Sequence, residues 1–337
     1  MSAPHTPFDV PLVDIVLPAF NGTRVIRRAL DSAFKQDVPF RIIVVDDGST
    51  DDSAEIAASY GQRVTVISQS NRGVSGARNT GLAAVKAPYV AFLDQDDVWV
   101  AGKLERQLKV LHAHPKVGLV FTDMQLVEED GRIVEDGFLH STHAYTALSK
   151  KPLDRSAFLL SRALADAVVR FNFISPSTVL ARRSALEDVG GFDEAFRLID
   201  DADCWIRMLT RWRGAVIEER LVRSLVWEGN ASLKFDKLIA ERMKLGEKAA
   251  ANPALFPAGT AAYFGRERAI SLYRMGIVAL HAGDGAMARM RLRSSLRDRF
   301  TMSAALALVA ARLPRSIRTA LLRLKRAAGV RWTIRVD

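Results

Sequence analysis

Three carboxylates in four residues, Asp94-Gln95-Asp96-Asp97, follow the apolar run Tyr89–Leu93. Like charges this close repel one another unless something positive sits among them. Oxygen-only donors on a short loop suit Mg²⁺ or Mn²⁺, hard cations that keep positions for phosphate oxygens and water. A second acidic group, Asp46-Asp47, ends the apolar run Arg41–Val45 and opens into Gly48-Ser49-Thr50-Asp51. A third, Asp200-Asp201-Ala202-Asp203, follows Gly190-Gly191-Phe192-Asp193-Glu194 and starts an amphipathic helix. Aspartates in a first turn serve the helix dipole, or one of them acts as a general base toward a hydroxyl. Both readings stay open for this segment. Asn71–Gly81 is a Gly-rich turn with two arginines, Arg72 and Arg78, a shape that can cradle phosphate. It is not GxGxxG, and Leu82 stands where a P-loop needs lysine, which argues against dinucleotide and P-loop NTPase sites.

These groups need elements to hold them. Val13–Leu17, Arg41–Val45, Val64–Ser68, Tyr89–Leu93 and Val117–Val127 read as strands. Helical spacing of apolar residues marks Arg24–Lys35, Asp52–Tyr60, Val74–Ala84 and the segment striped by Leu104, Leu108 and Leu111. Alternating strands and helices with continuously apolar strands imply an α/β fold: a Rossmann-like, mostly parallel sheet with helices on both faces. Such sheets bind ligands outside the carboxyl ends of their strands. Those ends carry Asn21, Asp46 and Asp47, and Asp94, Asp96 and Asp97. After Asp130-Gly131 the alternation weakens. The sequence predicts a loop over His140–Pro152, a helix over Leu153–Val169, a strand over Thr178–Ala181 and a helix over Asp201–Trp212. From Leu233 onward the pattern is helical, broken at Asn252-Pro253, Phe256-Pro257, Gly283-Asp284-Gly285 and Leu313-Pro314.

The 337 residues carry a formal net charge of +10, unevenly placed: −3 over residues 1–235 and +13 over residues 236–337. That boundary separates a near-neutral part over 1–235, the expected catalytic domain if its acidic clusters act together, from a helical, basic C-terminal region over 236–337. Between Ala286 and Arg331 there are 12 Lys/Arg and one acid, Asp298. Leu313–Ala328 reads as a basic amphipathic helix, suited to an anionic membrane surface or to packing on the rest of the chain. Nucleic acid is the weaker reading, because aromatic residues are sparse there and no binding motif is present. The single cysteine, Cys204, excludes an internal disulfide, and six histidines without HExxH give a zinc hydrolase little support. The opening residues show no basic or apolar leader, and the longest apolar stretch, Ser303–Ala311, is far too short to span a bilayer. The expected location is cytoplasmic, with peripheral attachment to the membrane left open.

In order and spacing, VDIVLPAFNG, VVDDGSTDDS, NRGVSGARNTGL, FLDQDDVW, GGFDEAF and DDADCWIR resemble the family 2 glycosyltransferases. These are inverting enzymes of the GT-A fold that use nucleotide-diphosphate sugars, and the resemblance covers about residues 11–232. It implies a nucleotide-binding part over about 11–125 and an acceptor part over about 126–235. Pro18, Ala19 and Asn21 would end the first strand beside the nucleotide. Asp46 would contact the base and Asp47 would support that loop; Arg78 would lie near the nucleotide or its phosphates. Asp94 and Asp96 would form the DxD-type motif, Asp96 on a Mg or Mn ion and Asp94 towards the ribose or the metal. Asp201 would be the catalytic base, in an Asp200-Asp201 pair where the family has Glu-Asp. Trp227 stands where many relatives carry His. The implied partners are a nucleotide-diphosphate sugar and a glycan or lipid-linked acceptor, in surface polysaccharide or glycoconjugate assembly. A nucleotidyltransferase, or an inactive homologue that only recognises a glycolipid, are the competing readings.

Overall fold

A computed structural model describes residues 11–226 and 235–313. Trp227 and, beyond Leu313, the basic helix expected over Leu313–Ala328 lie outside the described residues. The chain divides into two compact units, Met1–Glu241 with Asn252–Pro257, and Arg242–Ala251 with Ala258–Asp337.

The first unit opens with β1 (Val13–Ala19), α1 (Ile26–Ala33), β2 (Phe40–Asp46), α2 (Ser53–Ala58), β3 (Val64–Ser68), α3 (Gly73–Ala84) and β4 (Tyr89–Phe92). It continues through β5 (Asp97–Trp99), α4 (Lys103–Ala113), β6 (Val117–Val127) and β7 (Ile133–Asp136). Two single-turn helices follow, α5 (Phe138–Ser141) and α6 (His143–Thr146), then β8 (Lys150–Pro152), β9 (Ala157–Leu160) and α7 (Leu164–Arg170). The unit ends with β10 (Leu180–Arg182), α8 (Arg183–Val189), α9 (Asp200–Arg211) and β11 (Arg213–Leu225).

The strands form one sheet in the order β3-β2-β1-β4-β10-β6-β11-β9-β8, with β5 on β11 and β7 on β6. The strands β3, β2, β1 and β4 are parallel, so their carboxyl ends share one edge. The late strand β10 inserts antiparallel between β4 and β6. All seven residues of β1 are buried, as expected of a strand covered on both faces. α3 covers it so closely that a Cβ at Gly81 would lie 2.4 Å from Val16, a distance only glycine avoids.

Two stretches depart from the sequence expectation. Leu153–Val169 is not one helix: Ala157–Leu160 is strand β9, and only Leu164–Arg170 is helical. The cause is tertiary, since Ala157, Phe158 and Leu159 pair antiparallel with Ile217, Val216 and Ala215 of β11. His140–Pro152, expected as a loop, contains α6 and the short strand β8.

The second unit is helical: part of α10 (Phe235–Ala251), then α11 (Thr260–His281), α12 (Gly285–Asp298) and α13 (Met302–Ala310). Its core joins Tyr273, Ala279 and Leu280 to Ala288, Leu292, Ala304, Ala307 and Ala311. Asp284 caps α12 by accepting from the Met287 N–H at 2.9 Å, and Thr301 caps α13 by accepting from the Ala304 N–H at 3.2 Å. Among the described residues no helix is long and apolar enough to cross a membrane.

Candidate active site

The parallel edge brings three strand ends together, and short polar side chains tie them to one another. Asn21, just past β1, adopts φ 48°, a left-handed conformation that asparagine tolerates better than most residues. Its Oδ1 accepts from the Thr50 N–H at 2.9 Å, and its own N–H donates to Ser49 Oγ at 3.0 Å. The β1 and β2 loops are thereby locked. Gln95 does the same for β1 and β4: it accepts from the Phe20 N–H at 3.0 Å and donates to the Phe20 carbonyl at 3.1 Å. Pro18 and Ala19 lie buried within β1, in register with Val45 and Asp46 of β2.

The two acids ending β2 have different surroundings. Asp46 accepts from the Ser49 N–H at 3.1 Å through one oxygen. Asp47 accepts from Gln69 Nε2 at 2.7 Å and from the backbone N–H groups of Arg72 and Gly73, each at 2.8 Å. It therefore fills the N-terminus of α3, the place where the Gly-rich turn could otherwise have cradled phosphate.

Arg78 points from α3 into the middle of the site. It donates to Asp200 Oδ2 at 2.7 Å and to Asp94 Oδ1 at 2.8 Å, and its guanidinium lies over the Phe192 ring, 5.5 Å from the centroid. Its side chain is only 5% exposed, so it is a buried cation shared by two carboxylates. The opposite charges of Asp94, Asp200 and Asp201 outweigh burial and raise its pKa. Among the described groups this guanidinium joins the β4 end to the start of α9.

Asp201, next in the chain, is partly exposed. Asn172 Nδ2 donates to its Oδ2 at 2.9 Å, and the Ala202 N–H donates to Oδ1 at 2.7 Å. Burial pushes its carboxyl up to about 7, the Asp200 charge pushes the same way, and Arg78 opposes both. Asp200 is also raised, first by burial, with Arg78 pulling against it. Asp97 is raised well above the usual range by burial and by the crowding of Asp96 and Asp94.

Several supporting residues carried no sequence signal of their own. Ser177 Oγ accepts from the Asp94 N–H at 2.9 Å, and the Ser177 carbonyl accepts from Trp99 Nε1 at 2.8 Å. Beneath Trp99 lies fully buried Lys103, its ammonium 4.2 Å from the ring centroid and donating to Gln107 Oε1 at 2.9 Å. Glu241 on α10 accepts from the backbone N–H groups of Arg197, Leu198 and Ile199, at 2.9, 2.8 and 3.2 Å, and so fixes the entry into α9. Cys204 is buried in α9, its thiol pushed up to about 12 by burial, and takes no part in the site.

Among the described residues no group of three or more His, Cys, Asp or Glu side chains could hold a metal alone. The donors present are Asp96, which is partly exposed, and the Asp94 oxygen that Arg78 does not take. They fit a hard cation that draws its remaining ligands from phosphate and water.

The model of the family described as "Glycosyl transferase family 2" matches residues 14–159. An uncharacterized glycosyltransferase of Rickettsia prowazekii is 32% identical over 199 residues, 58% of this chain and 58% of the relative. One of Rickettsia typhi is 30% identical over 224 residues, 66% of each. The matched stretches thus span less than two thirds of these relatives. The putative teichuronic acid biosynthesis glycosyltransferase TuaG of Bacillus subtilis is 35% identical over 141 residues, 40% of this chain and 55% of TuaG. Among solved structures, TarS 1-349 of S. aureus in complex with UDP superposes with a TM-score of 0.59 at 19% identity, covering 96% of this chain and 94% of that one. The mannosyltransferase PcManGT of Pyrobaculum calidifontis, in complex with GDP-Man and Mn2+, gives 0.52 at 21% identity, covering 96% and 89%.

Proposed function

The chain belongs to glycosyltransferase family 2 and has the GT-A fold, and on that premise we propose that it moves a sugar from a nucleotide-diphosphate sugar to a glycan or lipid-linked acceptor hydroxyl, with inversion. The observation that carries this reading is the Asp94–Arg78–Asp200 ion chain, which sets the acidic strand end beside a second carboxylate, Asp201, poised near neutral pH.

In this reading the β1 and β2 ends, with Pro18, Ala19, Asn21 and Asp46, receive the nucleotide. Asp47 acts one step away, by holding the Gly-rich turn. Arg78 is engaged on both sides by carboxylates, so its influence on the donor passes through Asp94. A Mg or Mn ion held by Asp96, with Asp94, would supply Lewis-acid neutralisation of the departing diphosphate. Asp201 takes the proton from the acceptor hydroxyl; the oxygen bonds to the anomeric carbon from the face opposite the leaving group, and the carbon–oxygen bond to the nucleoside diphosphate breaks. One displacement inverts the configuration. Asn172 and the Ala202 N–H hold the base on its carboxylate side and fix its orientation.

Residues 11–125 serve the nucleotide and 126–235 the acceptor. The likeness to TuaG, a putative teichuronic acid biosynthesis glycosyltransferase, supports a place in surface polysaccharide assembly. We place the reaction in the cytoplasm, with residues 286–331 against an anionic membrane surface.

Asp201→Asn tests the assignment. Transfer from UDP-, GDP- or dTDP-sugars should fall on the order of a thousandfold, while donor-induced thermal stabilisation in Mn²⁺ stays near wild type. Transfer at the wild-type rate in that variant would overturn Asp201 as the base.

A further inference from the structure

Helix α13 is built inside out. Soluble helices turn their large apolar side chains to the core and leave small or polar ones outside. In α13 the buried positions are Ala304 and Ala307, with Ala311 just beyond its end, whereas Met302, Leu306 and Val309 are 65%, 56% and 57% exposed. Their spacing of four and three residues places them on one face. Phe300, just before the helix, is 70% exposed, and Met287 and Met290 on α12 are exposed as well. Arginines lie near these side chains in sequence: Arg291, Arg293, Arg297, Arg299 and Arg312, with Arg289 donating to the Ala311 carbonyl at 3.0 Å. The one acid between 286 and 313, Asp298, is taken by Arg268 at 2.8 Å.

We propose that the outward face of α13, with Phe300 and the two methionines of α12, inserts into the interface of an anionic lipid bilayer, its arginines lying at headgroup level. Apolar area gains from leaving water, long arginine stems can follow it while their guanidinium groups stay with phosphates, and the two signals together bind more firmly than either alone. The charge selects this occupant over the others. A second copy meeting this face about a two-fold axis would bring arginine against arginine. Residues 314–337 would add Arg315, Arg318, Arg323, Lys325, Arg326, Arg331 and Arg335 against one acid, Asp337. A phosphate-rich surface matches where either of these repels. The proposal rests on the reading of residues 286–331 as membrane-facing, sharpens it from a charged contact to an inserted one, and is independent of the sugar-transfer chemistry.

The test is flotation of the full chain with phosphatidylcholine vesicles containing phosphatidylglycerol, with phosphatidylcholine alone as control. A variant carrying Met302→Ser, Leu306→Ser and Val309→Ser keeps every arginine. Wild type should float with the anionic vesicles, and the triple variant should lose about tenfold or more of its partitioning with its melting temperature unchanged. Equal flotation of the two proteins would reduce the contact to charge and overturn insertion. Absence of wild-type flotation would overturn the membrane reading itself while leaving transfer activity to be measured separately. A lower melting temperature in the triple variant, or a wild-type dimer that the variant dissolves, would assign the face to a protein contact and equally overturn it.

Discussion

The strand-end cluster of the first unit and the α12–α13 surface of the second break the rule for soluble proteins in opposite directions. In the cluster, charge is turned inward: Arg78, Asp200 and Asp97 are buried, and Arg78 and Asp200 offset the cost by pairing with each other. On α12 and α13, apolar side chains are turned outward, and the charges beside them are arginines with little acid near them in sequence. Residues that disagree with the local folding rule are where function is expected. The two regions differ in what they should do when altered: the first should couple stability to chemistry, and the second should carry almost none of the stability.

The strongest way to break that contrast is Arg78→Ala. It strands two carboxylates, one of them deeply buried, and should cost about 3–5 kcal/mol in chemical denaturation. A loss no larger than that of a surface residue would show that the ion chain is not what joins β4 to α9. Asp47→Ala comes next. Three donors lose their acceptor, two of them at the start of α3, and the expected cost is about 2 kcal/mol, read as a lower denaturation midpoint with weaker donor binding.

Two further variants should move the pH profile in opposite directions. Asp201 as the proposed base works ionised, so kcat/KM should rise with pH through a midpoint at about 7. Asn172→Ala removes a hydrogen bond that favours the ionised form, so the limb should move to higher pH, by about one unit. Asp200→Asn removes the charge that raises Asp201, so the limb should move to lower pH. The same sign applies to stability: a carboxyl raised above its unfolded value favours the native state at low pH, and that contribution is lost as pH rises through about 7. The smallest effect belongs to the other region. Leu306→Ser should change the unfolding free energy by less than about 0.5 kcal/mol, because its side chain is already largely in water.

What could be read in advance follows from where the information sits. Val64–Ser68 and Val117–Val127 are strands with the expected bounds, because their β-branched and apolar residues lie close together in sequence. β11 was not expected at all. Glu218, Glu219 and Arg220 interrupt its middle, and these charges are satisfied from afar: Glu218 by Tyr145 and Lys150, Glu219 by Ser156, and Arg220 by Asp136. No local pattern announces partners that distant. The carboxylates of the candidate site were legible as clusters, two at strand ends and one at the start of a helix. Asn172, Ser177 and Glu241 were not, since each contributes one polar group whose worth depends on where the chain later brings Asp201, Asp94 and α9. Arg78 was visible in its motif, but its engagement by two acids exists only in three dimensions.

The hydrogen bonds of Asn21 and Gln95 carry a consequence for how a ligand would be received. Loops that bind nucleotides often pay an ordering entropy at the moment of capture, and association then shows a slow isomerisation after the encounter. Here the turns after β1, β2 and β4 are already fastened to one another by side-chain hydrogen bonds. A nucleotide arriving at this edge meets a mould that is already set, and its capture should follow a single fast phase with most of the binding entropy coming from released water.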